Sequence, residues 1–276
     1  MIGGQQLNDN CEIKGELYDA ATGVRTSLPR MTTRRCHYPG TVATQEGTSG
    51  RIYVFGGHDG IHALRSCEFL DVGQEQWVLV DAEMITRRAL TCATLLDHNT
   101  AVICGGRDGG HEMTSCEKFD LITRTFSPFP DMLEPRSVHA VVNYNGNIVA
   151  IGGGRAMNTC EQFDIHVWKW IPFASINTLR AGFAAAVIEN KIYLAGCGSS
   201  VEVYDGSAWS FVTHLPVRRY NAYTVALRGK LAAIGGASDI TDEDGGTDLF
   251  DPATCDISSL PHMIQPKRRS FAAVSF

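Results

Sequence analysis

Three observations predict an all-β fold built by radial repetition of four-stranded sheets. Apolar runs ending in paired glycines recur at Gly3-Gly4, Gly56-Gly57, Gly105-Gly106, Gly152-Gly153 and Gly235-Gly236, with a degenerate Gly196-Cys197-Gly198 after "KIYLA". Each is followed by a polar–apolar–aromatic cadence that closes on an aspartate: Asp19, Asp71, Asp120, Asp164, Asp205 and Asp251. A large apolar side chain lies six residues beyond in four copies (Trp77, Phe126, Trp170, Ile257) and four beyond in the fifth, as Trp209. The first glycines stand 53, 49, 47, 44 and 39 residues apart, so the chain carries six copies of one unit.

Each unit reads as four strands. The first follows an arginine and is small and β-branched ("TCATLLD", "VHAVVNY", "FAAAVIE"), which suits packing on both faces. The second ends at the glycine pair, as in "RIYVFGG", where backbone approaches too closely for a Cβ. The Glu-x-Phe/Tyr-Asp segment alternates like a half-buried third strand, and its aspartate turns the chain. The tryptophan segment is the outer fourth strand. A single sheet of this kind cannot bury both faces, so the copies must stack around an axis as the blades of a β-propeller.

The predicted blades are 1–32 plus 267–276, 33–85, 86–133, 134–177, 178–216 and 217–266, in one domain of 276 residues. The chain begins within a second strand ("MIGG") and ends in "KRRSFAAVSF", which matches the first strands elsewhere. The C-terminal strand is therefore expected to complete blade 1 and seal a six-bladed ring. The short opening strand also suggests a domain cut from a longer protein.

Composition narrows the function classes. A net charge of −6 and a pI near 5.8 argue against a nucleic-acid partner. No apolar stretch approaches the roughly 18 residues a membrane span needs. Nine cysteines without a Cys-x-x-Cys pair, together with the lack of a secretory signal or Asn-x-Ser/Thr sequon, favour a reducing cytoplasmic setting, with cytoskeletal or nuclear association as variants. Structural zinc is not expected.

The hydrophobic run with its Gly-Gly, the Glu-x-Tyr/Phe-Asp and the spaced tryptophan resemble kelch repeats, and the likeness covers essentially the whole chain. It implies a six-bladed kelch β-propeller and a protein-interaction module. Most specifically it resembles the substrate-recognition domain of BTB-kelch adaptors of cullin-type ubiquitin ligases, whose BTB and BACK helices are absent from these residues. Such receptors bind peptides in a basin lined by residues just after the glycine pairs and at the start of the first strands. The matching positions are Gln5, His58, Arg107 and Ser199, then Cys36, Ser137, Tyr220 and Ser270. With His58, Arg107 and Ala237 the chain departs from the aromatic and serine residues common there.

The arginines divide into two sets. Arg35, Arg88, Arg136, Arg180, Arg219 and Arg269 precede first strands in every copy. They form either a cationic ring at the channel mouth or structural pairs with a repeated acid, perhaps the third-strand glutamate, and repetition favours the structural role. Arg107 and Arg155 are not repeated, so architecture does not require them and they are the better binding candidates. His58 and His62 flank a loop tip. Asp239 to Asp244 read as a solvated acidic loop, and Cys67, Cys116 and Cys160 as buried small hydrophobes.

No Gly-x-Ser-x-Gly, His-Glu-x-x-His, Walker-type or sialidase box is present, so no catalytic residue, cofactor or metal is expected. The favoured partner is a short acidic peptide of a target protein. Two alternatives are an actin-binding or scaffolding kelch protein, which would use its rim or sides, and a kelch-fold sialic-acid mutarotase.

Overall fold

The computed structural model describes residues 5–6, 14–19, 21–37, 39–46, 49–236, 246–260, 268–269 and 273. Strands and turns make up all of the regular structure among them. Five antiparallel four-stranded sheets follow one another along the chain, each in the order first to fourth strand from axis to rim. Blade 3 is typical: Cys92–Asp97, Thr100–Cys104, Cys116–Asp120 and Thr125–Phe129. Blade 4 repeats it with Ala140–Tyr144, Asn147–Ile151, Cys160–Asp164 and Lys169–Phe173.

Among the described residues the complete blades number five, not the predicted six. The segments assigned to blade 1 form two short ladders instead, Gly15–Tyr18 with Arg25–Leu28 and Gln5–Gln6 with Arg268–Arg269. The expected second strand, residues 1–4, lies outside the described residues, as does most of the C-terminal strand. The two ladders nonetheless sit where the ring would close. Tyr18 and Ala273 pack on Val225, Ala232 and Ile234 of blade 6, and Leu28 and Met31 pack against Ile52, Val54 and Trp77 of blade 2.

Burial explains why the blades stack. Every apolar cluster lies between consecutive blades, as in Tyr53, Phe55 and Phe69 of blade 2 against Ala101, Ile103 and Phe119 of blade 3. Cys67, Cys116 and Cys160 are buried there as predicted. The indole N–H groups of Trp77, Trp170 and Trp209 reach back to carbonyls of the preceding blade's exit, at Pro29, Pro130 and Ala174. The repeated aspartates cap the hairpin between third and fourth strands. Asp120 accepts the N–H groups of Ile122 and Thr123, and Asp205 those of Ser207 and Ala208, which holds the Asp205 carboxyl down at about 2.

Blade 5 departs from the pattern. Its Gly196-Cys197-Gly198 link is a tight turn between Lys191–Gly196 and Gly198–Tyr204, with positive φ at all three residues. Its outer strand runs on as Trp209–Arg219, so the boundary placed at 216/217 falls inside one continuous strand.

Candidate partner-binding basin

The repeated arginines are interior groups. Arg88 Nε and Nη2 donate to Glu117 Oε1 at 3.2 and 3.0 Å, and Nη1 donates to the carbonyls of Gly105 and Ser115. Similar sets join Arg35 to Glu68 and Arg180 to Glu202; Arg136 reaches Glu161 through Nε and Thr159 Oγ1 through Nη2, while Arg219 uses Asp248 at 2.8 Å and the Gly235 carbonyl. Arg35, Arg88, Arg136 and Arg180 are at most 1% exposed. The paired acid also accepts backbone N–H groups from the preceding blade's exit, Ile85 and Thr86 for Glu117 and Leu133 and Glu134 for Glu161. These arginines fasten blade to blade, and the five described ones do not form the cationic ring at the mouth. Residue 269 is corrected by register as well. Gln5 pairs with Arg269 as His58 pairs with Cys36 and Arg107 with Ala89, so Arg268 occupies the repeat's arginine position.

The glycine pairs belong to the same fastening. Gly106 N–H donates to the Arg136 carbonyl at 2.8 Å, and a Cβ on Gly105 would lie 2.4 Å from that oxygen. Both residues have positive φ, so only glycine fits under the next blade's arginine.

Two residues after each arginine, the chain turns into the left-handed region: His37, Leu90, Val138, Gly182 and Asn221 have φ between 53° and 71°. Their backbones link blade to blade around the mouth. Leu90 N–H donates to His37 O, Val138 to Leu90, Gly182 to Val138 and Asn221 to Gly182, at 2.7 to 3.0 Å. Leucine and valine are held there despite their side chains because the neighbouring blades fix both ends.

Above this girdle stand the non-repeated loops. In blade 2, His58 is half-buried, with its ring centroid 5.2 Å from that of His37, and its Nδ1 accepts the Gly60 N–H. Asp59 caps the loop through the N–H groups of Ile61 and His62, which lowers its pKa, and His62 is exposed. The ligand atoms of Cys36, His37 and His58 lie within 4.8 Å of one another, but Cys36 is disulfide-bonded, so its sulfur is no thiolate ligand. That disulfide departs from the fully reduced chain the composition favours; the cysteines at 67, 92, 104, 116, 160, 197 and 255 are free.

Blade 3 raises a small hairpin in which Arg107–Asp108 pairs with His111–Glu112. Arg107 Nη2 donates to Gly110 O, while its Nε is buried without a hydrogen-bond partner among the described residues. Glu112, which the sequence did not single out, joins this hairpin to blade 4. It accepts the Ser137 hydroxyl at 2.8 Å and the Arg155 N–H at 3.4 Å, and a Cβ on Gly154 would lie 2.5 Å from its Oε1. Arg107, Ser137 and Arg155 are thereby gathered at one place on the mouth. Among the described residues neither Arg107 nor Arg155 has a carboxylate within salt-bridge distance. Ser199 lies on the low side of the basin with its hydroxyl 3.3 Å from His214 Nδ1, and Tyr220 is half-buried at the start of blade 6. Ser270, Ala237 and the run from Asp239 to Asp244 lie outside the described residues.

Radial four-stranded blades, glycine-pair strand ends and a buried arginine–carboxylate pair in each complete blade define a kelch-type β-propeller. The sequence bears this out: the model of the KLHDC2/KLHL20/DRC7 Kelch-repeats domain matches residues 1–197, and the chain belongs to that family. Kelch domains of this kind generally bind protein partners. The solved structure of YjhT superposes with a TM-score of 0.77 over 94% of this chain and 97% of its own, at 13% identity, a likeness of fold. No curated protein matches the sequence.

Proposed function

We propose that this propeller is a substrate receptor that binds an acidic peptide segment of a target protein in the basin around Arg107, Ser137 and Arg155. One observation carries the reading. Arg35, Arg88, Arg136, Arg180 and Arg219 are each buried against a carboxylate, whereas the two non-repeated loop arginines form no salt bridge among the described residues. Arg107 and Arg155 stand on loops joined through Glu112 and the buried Ser137 hydroxyl, and paired guanidinium groups suit carboxylate recognition. The resemblance to BTB-kelch adaptors adds a role in a cullin-type ubiquitin ligase, reached through segments outside this sequence, in the cytoplasm. We also assign six blades to the ring, the sixth completed by the C-terminal strand. Deleting residues 267–276 then costs cooperative unfolding, and an unchanged sharp melt removes that assignment.

The test of the receptor reading compares affinity capture by the parent domain and by an Arg107→Glu, Arg155→Glu double variant of matched thermal stability. Partners sharing an acidic segment are retained by the parent, lost by the variant and weakened by added salt. Equal capture by both places binding on the rim or sides, as an actin-binding or scaffolding protein would use.

A further inference from the structure

Below the basin the first strands enclose an axial channel of about 460 Å³, within the range of small-molecule sites. Its wall among the described residues is mostly small and aliphatic, with Ala93, Val141, Ala185, Val187 and Ala226 along its length. The far mouth is marked by the exposed Asp97 and His98. Asn143 also lines the channel, but its amide is already bonded to the Leu95 and Leu96 carbonyls.

Toward the basin the channel passes Tyr223 into a second space of about 30 Å³ lined by Thr91, Cys92, His139 and Phe183. That volume admits one water-sized or hydroxyl-sized group. Thr91 Oγ1 donates to the Cys104 and Gly105 carbonyls, and Cys92 Sγ to the His139 carbonyl. His139 differs from both: it is 2% exposed, and neither ring nitrogen has a hydrogen-bond partner among the described residues. Burial, with Arg136 nearby, holds its pKa down at about 3, so the ring is neutral and offers one donor and one acceptor. Buried polar atoms left unmatched are uncommon and point to a missing partner.

We infer that the channel binds a slender, uncharged, mostly apolar molecule with a hydroxyl at its leading end, the hydroxyl meeting His139 and the chain filling the lumen from the Asp97–His98 mouth. A hydroxyl serves either ring nitrogen, and the neutral ring gives a carboxylate no counter-charge. This site is separate from the basin, so its failure leaves the receptor reading untouched.

The experiment titrates 1-octanol into the folded domain and follows the melting temperature and NOEs from the octanol chain to the Ala93 and Ala185 methyl groups. Sodium octanoate and 1-chlorooctane, of similar length without the neutral donor, are the comparison ligands. Octanol raises the melting temperature, shows both NOEs and binds at least tenfold more tightly than either comparison ligand. His139→Leu brings octanol down to the level of chlorooctane, and Ala185→Phe removes binding of both. The inference is overturned if the NOEs are absent, if octanol and chlorooctane bind the parent equally, or if a folded Ala185→Phe variant still binds. Should the variants fail to fold, the NOEs and the ligand comparison on the parent decide.

Discussion

The girdle beneath the mouth and the loops above it use the same residue type to opposite ends. In the girdle, an arginine with at most 3% side-chain exposure meets a carboxylate, two backbone carbonyls and, through that carboxylate, the exit of the preceding blade. Above it, Arg107 and Arg155 belong to single loops and their guanidinium groups form no salt bridge among the described residues. What is repeated holds the blades together, and what is not repeated remains available to a partner.

The sharpest way to break this contrast is to remove one buried cation. Arg136→Met leaves the Glu161 carboxylate buried and unpaired and should cost about 3–5 kcal/mol in chemical denaturation, with part regained by Arg136→Met, Glu161→Leu together. Arg107→Met, by contrast, should stay within about 0.5 kcal/mol of the parent. Similar losses for the two single variants would erase the distinction.

Acidification probes the interior of the girdle next. The folded His139 holds a proton less tightly than an unfolded histidine, about 3 against 6.5, so the unfolded chain binds more protons between those values. Its contribution is therefore complete above about pH 6.5 and is lost as the pH falls toward 3, with a slope approaching about 1.4 kcal/mol per pH unit. Denaturation midpoints across that window should flatten in His139→Gln, and an unchanged slope would show that other groups govern the acid limb.

Glu112→Ala tests the loops with a smaller effect. Losing its bonds to Ser137 and Arg155 should lower stability by about 1 kcal/mol, yet weaken capture of acidic partners clearly, because the Arg155 loop loses its tie to the blade 3 hairpin that carries Arg107. Smallest is Val138→Gly. Relieving a β-branched residue at φ 53° should raise stability by less than about 1 kcal/mol; blade 5 has a glycine, Gly182, at this position. A fall in the melting temperature would mean that the Val138 side chain contributes more than its backbone costs.

What the sequence made legible is the part that recurs. Glu117 and Glu161 stand at one repeat position, as do Cys67, Cys116 and Cys160, and their roles follow from spacing alone. The repeat's arginine is Arg268 and not Arg269: "KRRS" offers two arginines, and only pairing register separates them. Nothing about Leu90 or Val138 marks a left-handed turn, since both are strand-forming residues held by hydrogen bonds from other blades. Glu112 carries no signal in the sequence, because its importance arises from Ser137 and Gly154, a blade away. The unmatched nitrogens of His139 are likewise a property of the packed interior, where "SVHAVVNY" reads only as a first strand.

The mouth hydrogen bonds run one way round, each N–H reaching to the carbonyl of the blade before, and the four described links span five blades. Such a chain acts as a hoop: a load placed on one blade is shared by its neighbours instead of opening a seam. A partner settling on the basin therefore meets a stiff rim, and affinity must be tuned by exchanging the side chains that stand on it, because the rim itself has little room to close.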